Sequence, residues 1–121
     1  MFITDYQRST VDINKIDTYI RFAIKSRKII FGLDNVKLQT KNIKIIIADN
    51  SLSEKSLRET KFISGKYKIP LLLREADLNQ ILNTTNCKVI GITDINLVKA
   101  ILDNVGGSGY YLAEGEVNGR N

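Results

Sequence analysis

The sequence predicts an α/β protein in which helices enclose a small mixed sheet, as a three-layer α/β/α sandwich. Short β-branched runs alternate with segments whose apolar residues recur at helical spacing, which favours a sheet with helices packed on it. The run Ile43–Ala48 is almost wholly apolar, which is typical of a strand covered on both faces. Right-handed crossovers would place helices on both sides of such a sheet. The length of 121 residues suits one domain, which we assign to residues 1–105.

The first elements flank a short polar turn. Residues 12–26 repeat apolar side chains every three or four positions, so we expect a helix there with Asp12 as its N-cap. A β-prone run, Lys28–Phe31, follows. Gly32 then permits a tight turn, and a second helix is expected to begin near Asp34 as its N-cap.

The middle of the chain carries a helix with a capping signal. After the buried strand, Ser51 and Glu54 have the spacing of a capping box, and Gly65 is expected to end the helix. A second strand is predicted over residues 68–73. Pro70 lies near its start, where a missing N–H group disturbs the sheet least.

The last part of the chain alternates again and then loses the pattern. We expect a short helix over residues 75–82, a strand over 87–93, and a final helix that Thr93 or Asp94 caps. Residues 106–121 are a C-terminal extension of unknown role. A flexible segment, a small hairpin and a partner-binding strand all fit them.

Catalytic side chains are scarce. The chain has no histidine and one cysteine, Cys87, which excludes Ser-His-Asp and Cys-His catalysis, His-ligated metals and a thiolate zinc site. The run Gly106–Gly109 lacks the Lys-Ser/Thr that completes a P-loop. Asp49 and Asp94 fall at strand ends, where they could reach a magnesium ion, but no second carboxylate accompanies Asp49. We therefore expect no enzymatic activity, no cofactor and no metal, and a small-molecule or nucleotide enzyme is the least favoured alternative.

The composition also bears on location. A single cysteine permits no internal disulfide, which fits a reducing compartment. The first ten residues lack the basic and apolar segments of a secretory signal, and no apolar stretch approaches ~20 residues. We expect a cytoplasmic protein without a membrane partner.

Positive charge is concentrated around the predicted turn. The net charge is +5, and from Arg21 to Lys44 seven cations accompany one acid, Asp34, which indicates an anionic partner. Asp34 could accept hydrogen bonds from a guanine edge, and Asn35 could both donate and accept. Gly32 would let an RNA backbone approach without a Cβ in the way. A solvated basic face beside an ordinary turn is the alternative.

Four segments resemble a known family, in order along the chain. The stretch SRKIIFGLDNV, residues 26–36, looks like the signature AGKLVSGxNEV of the kink-turn-binding ribosomal proteins, the L-seven-Ae and L-thirty-e type with small bacterial members called YlxQ. KIIIADNS, YKIPLLL and KVIGITDINLVKAIL resemble a strand end, a strand start and the last strand and helix of that family. The resemblance covers residues 13–102 and implies an α/β/α sandwich that binds RNA kink-turns.

The resemblance also implies a site. Gly32, Asp34 and Asn35 match the signature's glycine, asparagine and glutamate, and Lys28 matches the lysine before its first strand. The expected RNA-binding residues are Lys28, Gly32, Leu33, Asp34, Asn35, Lys37, Lys41, Thr84, Thr85 and Asn86. The last three lie in a loop that, in the family, faces a flipped-out base. The expected function is non-catalytic recognition of structured, kink-turn-like RNA, in association with the ribosome or with translation.

A protein-interaction module that kept the fold but lost the RNA site is the alternative. Asn35 stands where the family has a glutamate, and the loop over residues 83–87 is polar where the family is often apolar. Two adjacent tyrosines, Tyr110 and Tyr111, could anchor a protein partner through residues 106–121. They could instead pack back on the sheet.

Overall fold

Five helices and five strands alternate along the chain in a computed structural model, which describes residues 14–84, 86–106 and 108–113. The helices are α1 Lys15–Lys25, α2 Leu33–Leu38, α3 Glu54–Tyr67, α4 Asn79–Leu82 and α5 Ile95–Asp103. The strands are β1 Ile29–Phe31, β2 Ile45–Asp49, β3 Leu71–Arg74, β4 Val89–Ile92 and β5 Tyr110–Ala113.

One mixed sheet contains all the described strands, in the order β1-β4-β2-β3-β5. β2 and β3 run parallel, and each other neighbouring pair runs antiparallel. The strands β1, β2 and β3 therefore begin at one edge of the sheet and end at the opposite edge. We call the edge where they end, next to Gly32, the turn end. The edge where they begin, next to Lys44, is the basic end.

Helices cover both faces of this sheet, so the predicted α/β/α sandwich is confirmed. α1, α4 and α5 pack on the face that carries Ile45 and Ile47, and α2 and α3 pack on the face that carries Ile46 and Ala48. β2 is buried along its whole length because its alternate side chains enter different cores. Each isoleucine buried in this way stabilises the fold by about 1.5–3 kcal/mol.

The centre of the sheet has no room for a side chain at Gly91. A Cβ at this position would lie 2.7 Å from Cδ1 of Ile43. Ile43 is buried and belongs to the core beneath α2 and α3. The glycine therefore lets the connection between α2 and β2 close against the sheet.

Two helices begin and end at residues other than those predicted. α1 begins after Asn14, whose side chain caps the helix, and not after Asp12. α3 begins after Ser53, whose hydroxyl accepts a backbone N–H, so the predicted capping box at Ser51 is wrong. α3 also continues through Gly65, which is buried, because helix packing here outweighs the local tendency of glycine to end a helix.

The predicted caps of α2 and α5 have different outcomes. α2 begins after Gly32, so Asp34 lies in its first turn and is not the N-cap. Asp94 caps α5 as predicted, since its carboxylate accepts from the N–H groups of Asn96 and Leu97. The Asp34 carboxylate is thus not used to begin its helix.

Residues 110–113 form an edge strand of the sheet. Tyr110–Ala113 pairs antiparallel with β3, so the sheet extends beyond the predicted domain boundary at residue 105. The Tyr110 side chain is buried, where its hydroxyl donates to Asp17 and accepts from Arg74. The first part of the C-terminal extension therefore belongs to the domain, and residues 114–121 lie outside the described residues.

Candidate nucleic-acid interface

The Gly32 turn combines a backbone that requires glycine with open space around it. Gly32 has φ +90° and ψ 146°, a backbone conformation that residues other than glycine avoid. A Cβ built there would meet nothing within 4 Å. The Gly32 N–H donates to the Val89 carbonyl at 2.8 Å, which ties the turn to β4. A ligand backbone can therefore approach this turn closely.

Asp34 and Asn35 are exposed on the first turn of α2, beside Gly32. The Asn35 side-chain amide donates from Nδ2 to the Phe31 carbonyl at 2.8 Å. This bond orients the amide and leaves its Oδ1 as an acceptor. Two acceptors with no part in capping the helix are thus presented together, and this arrangement can receive the N–H groups of a base edge.

The loop before β4 lies at the same edge of the sheet as the Gly32 turn. Thr84 and Asn86 are exposed in this loop, and Thr85 lies outside the described residues. The loop ends at Cys87, whose buried thiol donates to the Val89 carbonyl at 3.4 Å, the same carbonyl that accepts from Gly32. The fold therefore brings together two segments of the predicted site that are about fifty residues apart in the chain.

The predicted lysines do not surround the turn. Lys28 precedes β1 at the basic end, where its carbonyl accepts from the Thr93 N–H at 3.0 Å. Four extended residues place it about 13 Å from Gly32 along the strand direction. Lys41 also lies at the basic end, after α2 and before β2. The expectation that these cations flank the turn is therefore corrected by the direction of β1 and α2.

Lys37 is engaged within the protein. Its ammonium group forms an ion pair with Glu59 of α3, and both side chains are more than a third exposed. The hydrogen bond that the Lys37 ammonium donates to the Glu59 carboxylate raises the pKa of Lys37 above its ordinary value. The pair lies in solvent, so it contributes little to stability. It nevertheless engages the Lys37 ammonium, which was expected to contact phosphate.

Charges of both signs are exposed at the turn end. Asp34, Glu75 and Asp77 are exposed there, and Lys88 donates to the Ser51 hydroxyl at 3.2 Å. Such a mixture does not attract phosphates strongly. The turn end therefore suits the recognition of base edges better than the binding of a sugar-phosphate backbone.

Cations gather instead at the basic end. Two open hollows share Lys44 as a lining residue; Arg27 lines one, and Lys41, Lys68 and Lys99 line the other. Lys68 and Lys99 were missed by the sequence reasoning. A signal for this surface was present, because a lysine precedes each of the runs that became β1, β2 and β3. Strands that begin at one edge bring their preceding residues to that edge.

Asp49 and Cys87, which could have carried chemistry, serve the fold. Asp49 is 2% exposed and accepts from the Ser51 and Leu78 N–H groups, each at 2.8 Å. Burial by itself would raise the pKa of Asp49, but these N–H donors stabilise the carboxylate and the balance lowers that pKa. Burial raises the pKa of the Cys87 thiol, which keeps it protonated. Within residues 14–84, 86–106 and 108–113, no group of three potential metal ligands comes together.

Comparisons with known proteins establish the fold and nothing beyond it. No protein-family model and no curated protein sequence matches the chain. A solved structure described as "a protein with unknown function from Bacillus halodurans C" is similar, with a TM-score of 0.70 and 16% sequence identity. The match covers 75% of this chain and 96% of that one. The chain thus shares its α/β architecture with a protein of unknown function.

In the described part of the chain, none of the helices has the length and apolar character needed to traverse a bilayer.

Proposed function

We propose that the protein is a non-catalytic RNA-binding protein that recognises structured, kink-turn-like RNA in association with the ribosome or with translation. The observation that carries the proposal is the meeting of the open Gly32 turn with the loop before β4 at one edge of the sheet. These are the two segments that the resemblance to the kink-turn-binding family implied. Their proximity is independent of the sequence match that first suggested them.

The chemistry of the turn suits an irregular RNA. A regular A-form major groove is too narrow for side chains, so bases are read where the helix is widened, bent or unpaired. Gly32 offers no side chain against an approaching strand, and the acceptors of Asp34 and Asn35 complement the N1–H and amino groups of guanine. Asn35 supplies a neutral oxygen where the family has a carboxylate, which weakens one hydrogen bond but keeps its direction.

The direct test compares two RNAs of equal length, a kink-turn hairpin and a straight duplex, in gel-shift titrations with purified protein. We expect tighter binding of the kink-turn. Gly32→Ala is expected to reduce that preference, because it strains the turn and adds a Cβ where the strand approaches. Gly106→Ala is the matched control, since a Cβ at Gly106 also meets nothing within 4 Å but its φ is not positive. Equal affinity of the wild-type protein for the two RNAs would contradict recognition of a kink-turn.

A protein-interaction module is the second candidate, and the exposed edge of β5 favours it. Leu112 is 57% exposed on this strand, and edge strands can pair with a partner chain. Tyr110 is buried, so it does not serve as an anchor, and the Tyr111 hydroxyl donates to Asn50 at 2.9 Å. The test is Leu112→Lys, which places a charge on the exposed part of β5 without deleting the strand. Loss of a co-purifying protein with unchanged RNA affinity would favour this candidate.

A further inference from the structure

We propose that the basic end binds the phosphate backbone of RNA, as a second contact surface across the sheet from the Gly32 turn. This inference rests on the proposed RNA-binding function. The turn would then read bases, and the basic end would hold a second part of the same RNA without regard to its sequence.

The topology of the sheet explains why cations collect at this edge. Lys28, Lys44 and Lys68 precede β1, β2 and β3, and these three strands begin at the basic end. β2 and β3 are neighbours in the sheet, and β4 separates β1 from β2. Arg27 and Lys41 come from the adjoining connections. Lys99 projects from α5 toward the hollow that Lys41 also lines. Six cations from four segments of the chain therefore lie at one edge of the domain.

The charge around the two hollows is of one sign. None of the described residues that line either hollow is acidic. Asp94 lies between Thr93 and Ile95, which line the two hollows, and its carboxylate accepts from two N–H groups at the start of α5. A surface of this kind concentrates anions at its mouth.

The extent of this surface favours a polyanion over a small anion. Five of these cations line two adjoining open hollows, which share Lys44, and Lys28 lines neither. A single phosphate ion would reach the cations of one hollow at most. Successive phosphates of a nucleic-acid strand can reach both, and each such contact releases a counterion.

An exposed aromatic ring favours RNA over other polyanions. Tyr67 lines the same hollow as Lys41, Lys68 and Lys99, and it is 47% exposed. The Lys66 ammonium lies 5.3 Å from the centre of its ring. Aromatic rings set among cations stack unpaired bases, and this adds affinity that sulfated polymers and lipid headgroups do not gain.

The two surfaces are close enough for one folded RNA. Lys28 and Gly32 are about 13 Å apart along β1, and α2 begins at the turn end and leads toward the basic end. Leu38, at the last position of α2, is 82% exposed. An RNA bent around this side of the domain would touch the turn with one segment and the basic end with another.

The test is the salt dependence of RNA binding. Affinity is measured over a series of NaCl concentrations for the wild-type protein and for the basic-end variant, Lys41→Gln with Lys44→Gln and Lys99→Gln. Lys68 is left unchanged because it ends α3 with φ 56°.

The charge-matched control is Lys15→Gln with Arg21→Gln and Arg58→Gln, three exposed cations that line neither hollow at the basic end. The probes are the kink-turn hairpin, the straight RNA duplex, and vesicles of phosphatidylserine with phosphatidylcholine. Circular dichroism checks that each variant is folded.

A plot of log affinity against log salt concentration gives a slope for each protein. We expect this slope to be shallower by roughly 2 to 3 in the basic-end variant, because each lost phosphate contact contributes about 0.7–0.9. The change should be similar for both RNAs and smaller in the control. Equal slopes in the two triple variants, while the wild-type protein still binds RNA, would overturn this inference and leave the proposed function standing. Loss of vesicle binding in the basic-end variant with an unchanged RNA slope would also overturn it and would assign the surface to a membrane. A wild-type protein that binds neither RNA at low salt would overturn the proposed function itself, and this inference with it.

Discussion

The Tyr110 hydroxyl donates a hydrogen bond to the Asp17 carboxylate, and this contact joins the edge strand β5 to α1. Arg74 of β3 completes the cluster, because its Nε donates to the same hydroxyl at 2.9 Å and its Nη2 pairs with Asp17 at 3.1 Å. The three polar groups satisfy one another in the interior, where an unpaired group would be costly. The position of β5 thus depends on a phenol that links two charges.

Tyr110→Phe is expected to lower the free energy of unfolding by about 1–3 kcal/mol, because Arg74 and Asp17 each lose a buried partner. Urea denaturation at neutral pH measures the change. Tyr111→Phe is the matched control, since its hydroxyl bonds to Asn50 at an exposed site and is worth less than about 1 kcal/mol. Equal losses in the two variants would mean that the cluster does not hold β5.

Asp49→Asn is expected to make stability less dependent on pH in the acid range. The folded state lowers the pKa of Asp49, so its stabilisation is present above the unfolded-state pKa of about 3.9. That stabilisation is lost as the pH falls through the lower folded-state pKa. At pH 7 the variant should be less stable by about 1–3 kcal/mol, and the deficit should shrink in acid. Urea denaturation at neutral and at acid pH measures the deficit. Asp103→Asn, at an exposed position of α5, is the control, and a deficit that stays constant with pH would contradict the assignment.

Ser53→Ala and Ser51→Ala separate two assignments of the N-cap of α3. The Ser53 hydroxyl accepts from the Ser56 N–H, so its removal should destabilise the protein by about 0.5–2 kcal/mol. Ser51, which the sequence pattern favoured, instead accepts from the exposed ammonium of Lys88, and its loss should cost less. Thermal unfolding monitored by circular dichroism decides between them, and a larger loss at Ser51 would support the capping box.

Asn35→Ala and Lys41→Ala are expected to affect RNA binding in different ways. Loss of the Asn35 amide should cost about 1–3 kcal/mol of binding to a kink-turn RNA and reduce discrimination against a straight duplex. Lys41→Ala should weaken both RNAs alike, because a phosphate contact carries no sequence information. Filter-binding titrations of both RNAs give the two ratios. A uniform loss with Asn35→Ala would exclude base recognition by this side chain.

The sequence was sufficient to predict the layers of the fold. Strands such as Ile45–Asp49 and helices such as α5 carry periodic apolar patterns, which burial enforces over many residues. Helix ends were less predictable because single hydrogen bonds decide them, as at Ser53. For residues 110–113 the sequence left several alternatives open, because β5 is held by Asp17 and Arg74, which are distant in the chain.

The site was predictable only in its local features, because the placement of its other residues depends on the topology of the sheet. The Gly32 turn is a local feature, and its partner loop was predicted through the resemblance. The placement of Lys28 and Lys41 depends on strand direction, which residue patterns do not encode. The basic end could have been found only after β1, β2 and β3 were known to begin at one edge.

Because β5 is the last described strand of the chain, a ribosome releases it after all the others. Until Tyr110–Ala113 leave the exit tunnel, β3 has an unpaired side, and its leucines Leu71, Leu72 and Leu73 can pair with another nascent chain. Synthesis that stops before residue 110 would therefore yield a product prone to aggregate, although every helix and strand described before β5 is already encoded in it.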